Sequence, residues 1–124
     1  MILLDTDHFS VVTDSRHALH QQLTSRLQAN GDSLGLPVVS VEEQLRAWLK
    51  QVRHQADVRK HVFPYDHLIR LLETLAEWDI VRWSEPAAHE FKRLRKERVR
   101  IGSQDLKIAS IAISNDALLL SANL

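Results

Sequence analysis

The residues best suited to chemistry in this chain are carboxylates standing where apolar runs end. Ile2-Leu3-Leu4 leads straight into Asp5-Thr6-Asp7, the pattern of a buried strand that delivers acidic side chains to the end of a sheet. A carboxylate in that position is costly unless a cation or several hydrogen-bond donors meet it. Leu36-Pro37-Val38-Val39 leads in the same way into Ser40, Glu42 and Glu43, and Ala117 to Ser121 leads into Asn123. Asp105 follows the break at Gly102-Ser103, at the head of an apolar segment. These are acids and small oxygen donors with no glycine-rich phosphate loop among them. Such a set suits a hard divalent cation, Mg²⁺ or Mn²⁺. Taken singly, three of the acids have structural alternatives. Asp7 can cap a helix, Glu43 stands where the glutamate of a Ser40-Val41-Glu42-Glu43 capping box belongs, and Asp105 suits a helix dipole.

The elements that would position these groups alternate along the chain. Asp7 to about Asn30 reads as helical, with room for a break near Thr13-Asp14-Ser15; Leu19, Leu23 and Leu27 recur at helical spacing and Asn30-Gly31 gives a stop. Residues 36–39 form the expected second strand. A helix from Ser40 carries Leu45, Trp48, Leu49 and Val52, and His54 to Val62 reads as its end followed by a loop. From Pro64 the next helix carries Leu68, Leu71, Leu72, Leu75 and Trp78 on one stripe, suited to a core or to an interface. Asp79 to Trp83 is a third strand, and Ser84-Glu85-Pro86 opens a fourth helix ending in basic residues. A fifth helix runs from Gln104 to about Asn115, apolar around most of its girth, and Ala117 to Ser121 is a fourth strand. Strand–helix alternation predicts parallel pairing in a three-layer α/β/α sandwich, a single domain over 1–124. In such sheets sites form beyond the carboxyl ends of the strands, where the acids fall.

Composition narrows the class. The chain has 124 residues, 44% hydrophobic and 26% charged, with equal numbers of basic and acidic residues and no cysteine. Disulfides and thiolate metal sites are excluded, and a cytoplasmic location is expected. Asp5 interrupts the first apolar run too early for a signal peptide, and no run is long enough to cross a membrane. Positive charge segregates in one place, Lys92, Arg93, Arg95, Lys96, Arg98 and Arg100, suited to phosphate contacts or to a solvated helix end. The histidines form no close ligand pattern and read as surface residues. The three tryptophans read as packing groups before stacking platforms.

Four segments together resemble a PIN domain, in particular a VapC-like toxin ribonuclease. They are Leu3-Leu4-Asp5-Thr6-Asp7, Val38-Val39-Ser40-Val41-Glu42-Glu43-Gln44-Leu45, Ile101-Gly102-Ser103-Gln104-Asp105-Leu106, and Leu118-Leu119-Leu120-Ser121-Ala122-Asn123. The resemblance implies a metal-dependent endoribonuclease using Mg²⁺ or Mn²⁺, the toxin of a toxin–antitoxin pair, with an antitoxin protein as partner and a homodimer as common assembly. By position it makes Asp5, Glu43 and Asp105 the catalytic acids, and places Thr6 and Ser121 as supporting hydroxyls. Asp7, Ser40, Glu42 and Asn123 stand close enough in sequence to assist. Arg95, Lys96, Arg98 and Arg100 are the expected RNA contacts.

Two departures qualify the resemblance. The helical wheel aligns Glu42, rather than Glu43, with Leu45 and Leu49; Glu43 is expected to face the site because a first-turn side chain beside a strand end can point along the sheet edge. The family also usually has a fourth acid at or just after the Asn123 position and then a last strand, whereas this sequence ends at Leu124. The expectation is a C-terminal truncation with the last strand missing. The competing reading is a non-catalytic PIN-like protein-binding module that has lost its fourth acid.

Overall fold

The computed structural model describes residues 1–121. A short strand β1 (Ile2–Leu4) runs into helix α1 (Thr6–Thr13), and α2 (His20–Asn30) follows after a break. Strand β2 (Leu34–Pro37) runs directly into the long helix α3 (Val38–Arg53). A 3₁₀ turn at Val58–His61 precedes α4 (Val62–Leu75). Strand β3 (Ile80–Val81), helices α5 (Glu85–Lys96) and α6 (Ser103–Ser114), and strand β4 (Leu118–Leu120) complete the described chain.

The strands form one parallel sheet in the order β3-β2-β1-β4, flanked by the helices as an α/β/α sandwich. Alternation along β1 divides the core. Ile2 and Leu4 face one layer with Phe9, Leu27, Leu36, Leu71 and Leu75. Leu3 faces the other with Val39, Ala87, Ile108, Ile111 and Ala112. Burial on both faces is why β1 reads as an unbroken apolar run. Because β1 has neighbours on both sides, its carboxyl end, and therefore Asp5, lies in mid-edge rather than at a margin. The Asp5 N–H donates to the Leu120 carbonyl at 3.1 Å, tying that end to β4.

Gly35 sits opposite Leu3 in the β1–β2 register. A Cβ there would come within 2.9 Å of Leu3 Cδ2 and 3.2 Å of Val81 Cγ2. Leu3 is fully enclosed and cannot swing away. Gly35→Val is accordingly expected to cost about 1–3 kcal/mol by overpacking, measurable as a lowered urea midpoint with unchanged slope; a wild-type midpoint would contradict this packing.

Several boundaries differ from those read in the sequence. Val38 and Val39 belong to α3, not to a strand: Pro37 is extended at φ −60° and ψ 141° and ends β2, and the helix begins directly after it. Val39 then buries against α6 residues instead of entering the sheet. The helix therefore does not start at Ser40, and no capping box forms. The first helix starts at Thr6, capped by Asp5 rather than Asp7, and Asp14–Leu19 separate it from α2. Helix α4 starts two residues before Pro64, which is tolerated in a first turn. Strand β3 is shorter than 79–83. On α4, Leu71 and Leu75 are buried but Leu72 is 53% exposed, so the apolar stripe is only partly core. The expected Ser84 cap is present, its Oγ accepting from Ala87 N–H at 3.2 Å. Trp48 and Trp78 pack against the first core, Trp78 edge-on to Phe9 with 5.0 Å between ring centroids, whereas Trp83 is 38% exposed.

Candidate active site

Asp5 leaves β1 in an extended conformation and becomes the N-cap of α1. It is a buried carboxylate, 4% exposed. One of its oxygens, Oδ1, accepts the backbone N–H of His8 at 2.9 Å and lies 2.8 Å from His8 Nδ1. An ionised carboxylate can only accept, so Nδ1 is the donor in that contact. The next residue, Thr6, turns its hydroxyl across to α3 and donates to Glu43 Oε2 at 3.0 Å. The first residues of α1 and the second turn of α3 are joined by that bond.

Glu43 is half-buried, and its other oxygen, Oε1, is buried without a hydrogen-bond partner. Burial pushes the Glu43 carboxyl above its ordinary range. The carboxylates of Asp105, Asp5 and Asp7 push in the same direction, opposed by the Thr6 hydroxyl. Glu43 thus senses acids at the start of α1, Asp5 and Asp7, and Asp105 in the first turn of α6. Ser40 is fully buried one turn before Glu43, and its Oγ also lacks a partner. Ser121 follows β4, beside the strand that delivers Asp5. Asn123 lies outside the described residues.

Glu42 points elsewhere. It is exposed, receives Arg46 Nη2 at 2.7 Å and Gln104 Nε2 at 2.9 Å. The Gln104 hydrogen bond, helped by the charges of Arg46 and Lys107 against some burial, holds its carboxyl below the usual range. Between the two neighbouring glutamates, only Glu43 meets Thr6 and the other acids.

An all-oxygen donor set, a buried carboxylate oxygen with no donor, and repulsion of Glu43 by its acidic neighbours are together what a hard divalent cation would relieve. As placed, the acids do not close on a point: among the described residues no three acids or imidazoles stand close enough to hold an ion.

The basic residues divide. Lys92, Arg93, Arg95 and Lys96 occupy the later turns of α5, and Arg98 and Arg100 lie in the loop leading to α6 and Asp105. Arg93 is engaged by Glu90 at 2.8 Å and Glu97 at 3.0 Å, and the Arg95 guanidinium lies 5.0 Å over the Phe91 ring. Sequence reading missed His8, having taken the histidines as surface groups. Its signal was local: a histidine three residues after an acid that caps a helix lies within reach of that acid.

No protein-family model and no curated protein matches the chain. Solved structures do. A chain of VapBC-1 from nontypeable Haemophilus influenzae is 26% identical, with a TM-score of 0.69 over 99% of this chain and 87% of that one. A chain of VapBC-5 from Mycobacterium tuberculosis, a member of the VapBC family of toxin–antitoxin systems, is 19% identical, with a TM-score of 0.54 over 94% and 80%. VapC20 from the same organism, a sarcin-ricin-loop-cleaving toxin, is 15% identical, with a TM-score of 0.53 over 94% and 85%. The fold is that of these VapC-like PIN-domain proteins, as the four sequence segments implied.

Proposed function

We propose that this chain is a Mg²⁺- or Mn²⁺-dependent endoribonuclease, the toxin component of a toxin–antitoxin pair. The observation that carries the reading is the buried, donor-less Oε1 of Glu43 among the carboxylates of Asp5, Asp7 and Asp105. The likeness to VapC-like structures, one of them an RNA-cleaving toxin, supports it.

In this reading Asp5, Glu43 and Asp105 hold the metal. A metal held by them would supply activation of water and neutralisation of charge on the phosphate oxygens. Hydrolysis adds hydroxide to phosphorus and a proton to the departing sugar oxygen, leaving a phosphomonoester and a free hydroxyl. The chain's own part is to orient the acids. Thr6 fixes one oxygen of Glu43 and directs the other inward, and the backbone of α1 fixes Asp5. Arg95, Lys96, Arg98 and Arg100 contact RNA phosphates, with salt-sensitive affinity. An antitoxin protein, a homodimeric assembly and a cytoplasmic location complete the proposal.

The test is growth. Expression of the wild-type chain should arrest cells, and Asp105→Asn should restore growth while leaving the folded circular dichroism spectrum unchanged. Arrest by a folded Asp105→Asn variant would sink the reading. The open spacing of the acids favours a second reading, a PIN-like binding module without catalysis. That alternative predicts growth that is the same with and without Asp105, so the same experiment separates the two.

A further inference from the structure

Helix α4 carries apolar residues on two sides, and the fold uses only one of them. Pro64, Leu71 and Leu75 are buried, Leu68 is half-buried between them, and Leu71 and Leu75 join the first core. On the other side Val62, Tyr65, Ile69 and Leu72 are 62%, 49%, 55% and 53% exposed. Their spacing of three, four and three residues is that of the a and d positions of a heptad. They therefore form one narrow ridge, about 15 Å long. Single exposed apolar side chains are ordinary on a protein surface, but a contiguous strip marks a place where something binds. A strict a/d ridge is the seam of a helix pair, so the surface it fits is another helix.

Charge decides which kind of helix. Asp66 and Glu73 each follow a d-position residue and stand along one edge of the ridge. Both are exposed, and among the described residues neither has an ion-pair or hydrogen-bond partner. Arg70, the cation between them in sequence, lines the groove shared with Trp48, His67 and Thr74 instead. The opposite edge is Leu68 and Leu75, which carry no charge. Two copies of α4 meeting antiparallel on a two-fold axis would set acid edge against acid edge, and like charges so placed are unfavourable. An anionic surface, whether nucleic acid or lipid, meets the same repulsion. We infer that this face of α4 is a docking site for an amphipathic helix of another protein, with apolar residues at the same spacing and lysine or arginine flanking them to pair with Asp66 and Glu73. The inference uses none of the acids at the sheet edge and does not depend on the nuclease reading.

The probe is a fluorescein-labelled synthetic helix with leucine at its a and d positions and lysine in the flanking positions, compared with the same peptide carrying glutamate there. Fluorescence polarisation is measured on the full chain as wild type, Ile69→Ser and Glu73→Lys, with the thermal midpoint of each as a check on folding. The wild type should bind the lysine peptide about tenfold or more tighter than the glutamate peptide, with a preference that shrinks as salt is raised. Ile69→Ser should weaken binding of the lysine peptide about tenfold or more at an unchanged midpoint, and Glu73→Lys should narrow the preference between the peptides. Should Ile69→Ser lower the midpoint, Leu72→Ser supplies the same comparison. Equal binding of the two peptides, or binding of neither, would overturn the inference. So would lysine-peptide binding that the serine variant leaves intact. Light scattering and phosphatidylserine vesicles test the other occupants: a dimer that Ile69→Ser converts to monomer, or vesicle binding that it abolishes, would assign this face to a second copy or to a membrane and overturn the basic partner.

Discussion

Asp5→Asn is expected to lower RNA cleavage about a thousandfold or more while leaving the fold intact. The magnitude follows from what is removed: a charged ligand at the centre of the proposed site, where losing even one electrostatic contact to the transition state costs about 10²–10³ in rate. The fold should survive because asparagine caps helices as well as aspartate does. Its side-chain oxygen can still accept the His8 backbone N–H that Asp5 now holds at 2.9 Å. Removing one of several mutually repelling carboxylates also lessens a strain the metal-free protein carries. Cleavage should therefore fall with no loss of thermal stability in the metal-free state. A drop in both would mean that Asp5 serves α1 more than chemistry.

Glu43→Gln should raise the stability of the metal-free protein and weaken its response to metal. Burial and the neighbouring acids raise the Glu43 carboxyl above its ordinary value, so the native state holds that proton more tightly than the unfolded chain does. Native protein then binds more protons than unfolded protein across the window between the ordinary carboxyl value and the raised one. In that window stability falls as pH rises, and the deficit is complete once pH exceeds the raised value. Glutamine cannot ionise. The metal-free variant should be more stable than wild type at neutral pH, and the difference should shrink toward pH 4, where protonated Glu43 resembles glutamine. Mn²⁺ should do for the wild type what the substitution does for the variant. At a hundredfold excess over Kd a cation that binds only the native state contributes about 2.7 kcal/mol, or about 10 °C in Tm for a chain of this size. The variant should lose most of that response. Equal shifts in both proteins would remove Glu43 from the site.

Much of the fold is legible in the sequence because burial on both faces leaves a strong signal. Ile2-Leu3-Leu4 alternates between two separate cores, so all three residues must be apolar and the strand announces itself. Ser84 likewise carries its own helix start. Val38-Val39 was ambiguous, since a short apolar run fits a strand or the first turn of a buried helix, and only the backbone at Pro37 decides between them. The choice between Glu42 and Glu43 shows where a helical wheel misleads. It was oriented on Leu45 and Leu49, yet Leu49 is 43% exposed. Leu45 does pack against the first core, but Glu42 is exposed and engaged by Arg46 and Gln104. The inward reference is Val39 and Ser40, both buried, and Glu43 stands one turn beyond them. A wheel has no origin until packing supplies one. His8 was invisible for a related reason: its contact with Asp5 depends on Asp5 being a helix cap, and from the sequence only Asp7 was weighed for a cap there.

In the proposed reading the acids at the carboxyl edge of the sheet hold a cation on which RNA hydrolysis depends. That dependence is tested most directly by incubating purified protein with RNA in Mg²⁺ or Mn²⁺ and, in parallel, in excess EDTA. Discrete cleavage products are expected with either metal, none with EDTA, and recovery when metal is restored. Cleavage undiminished by EDTA, or no cleavage by folded protein in the presence of metal, would contradict it.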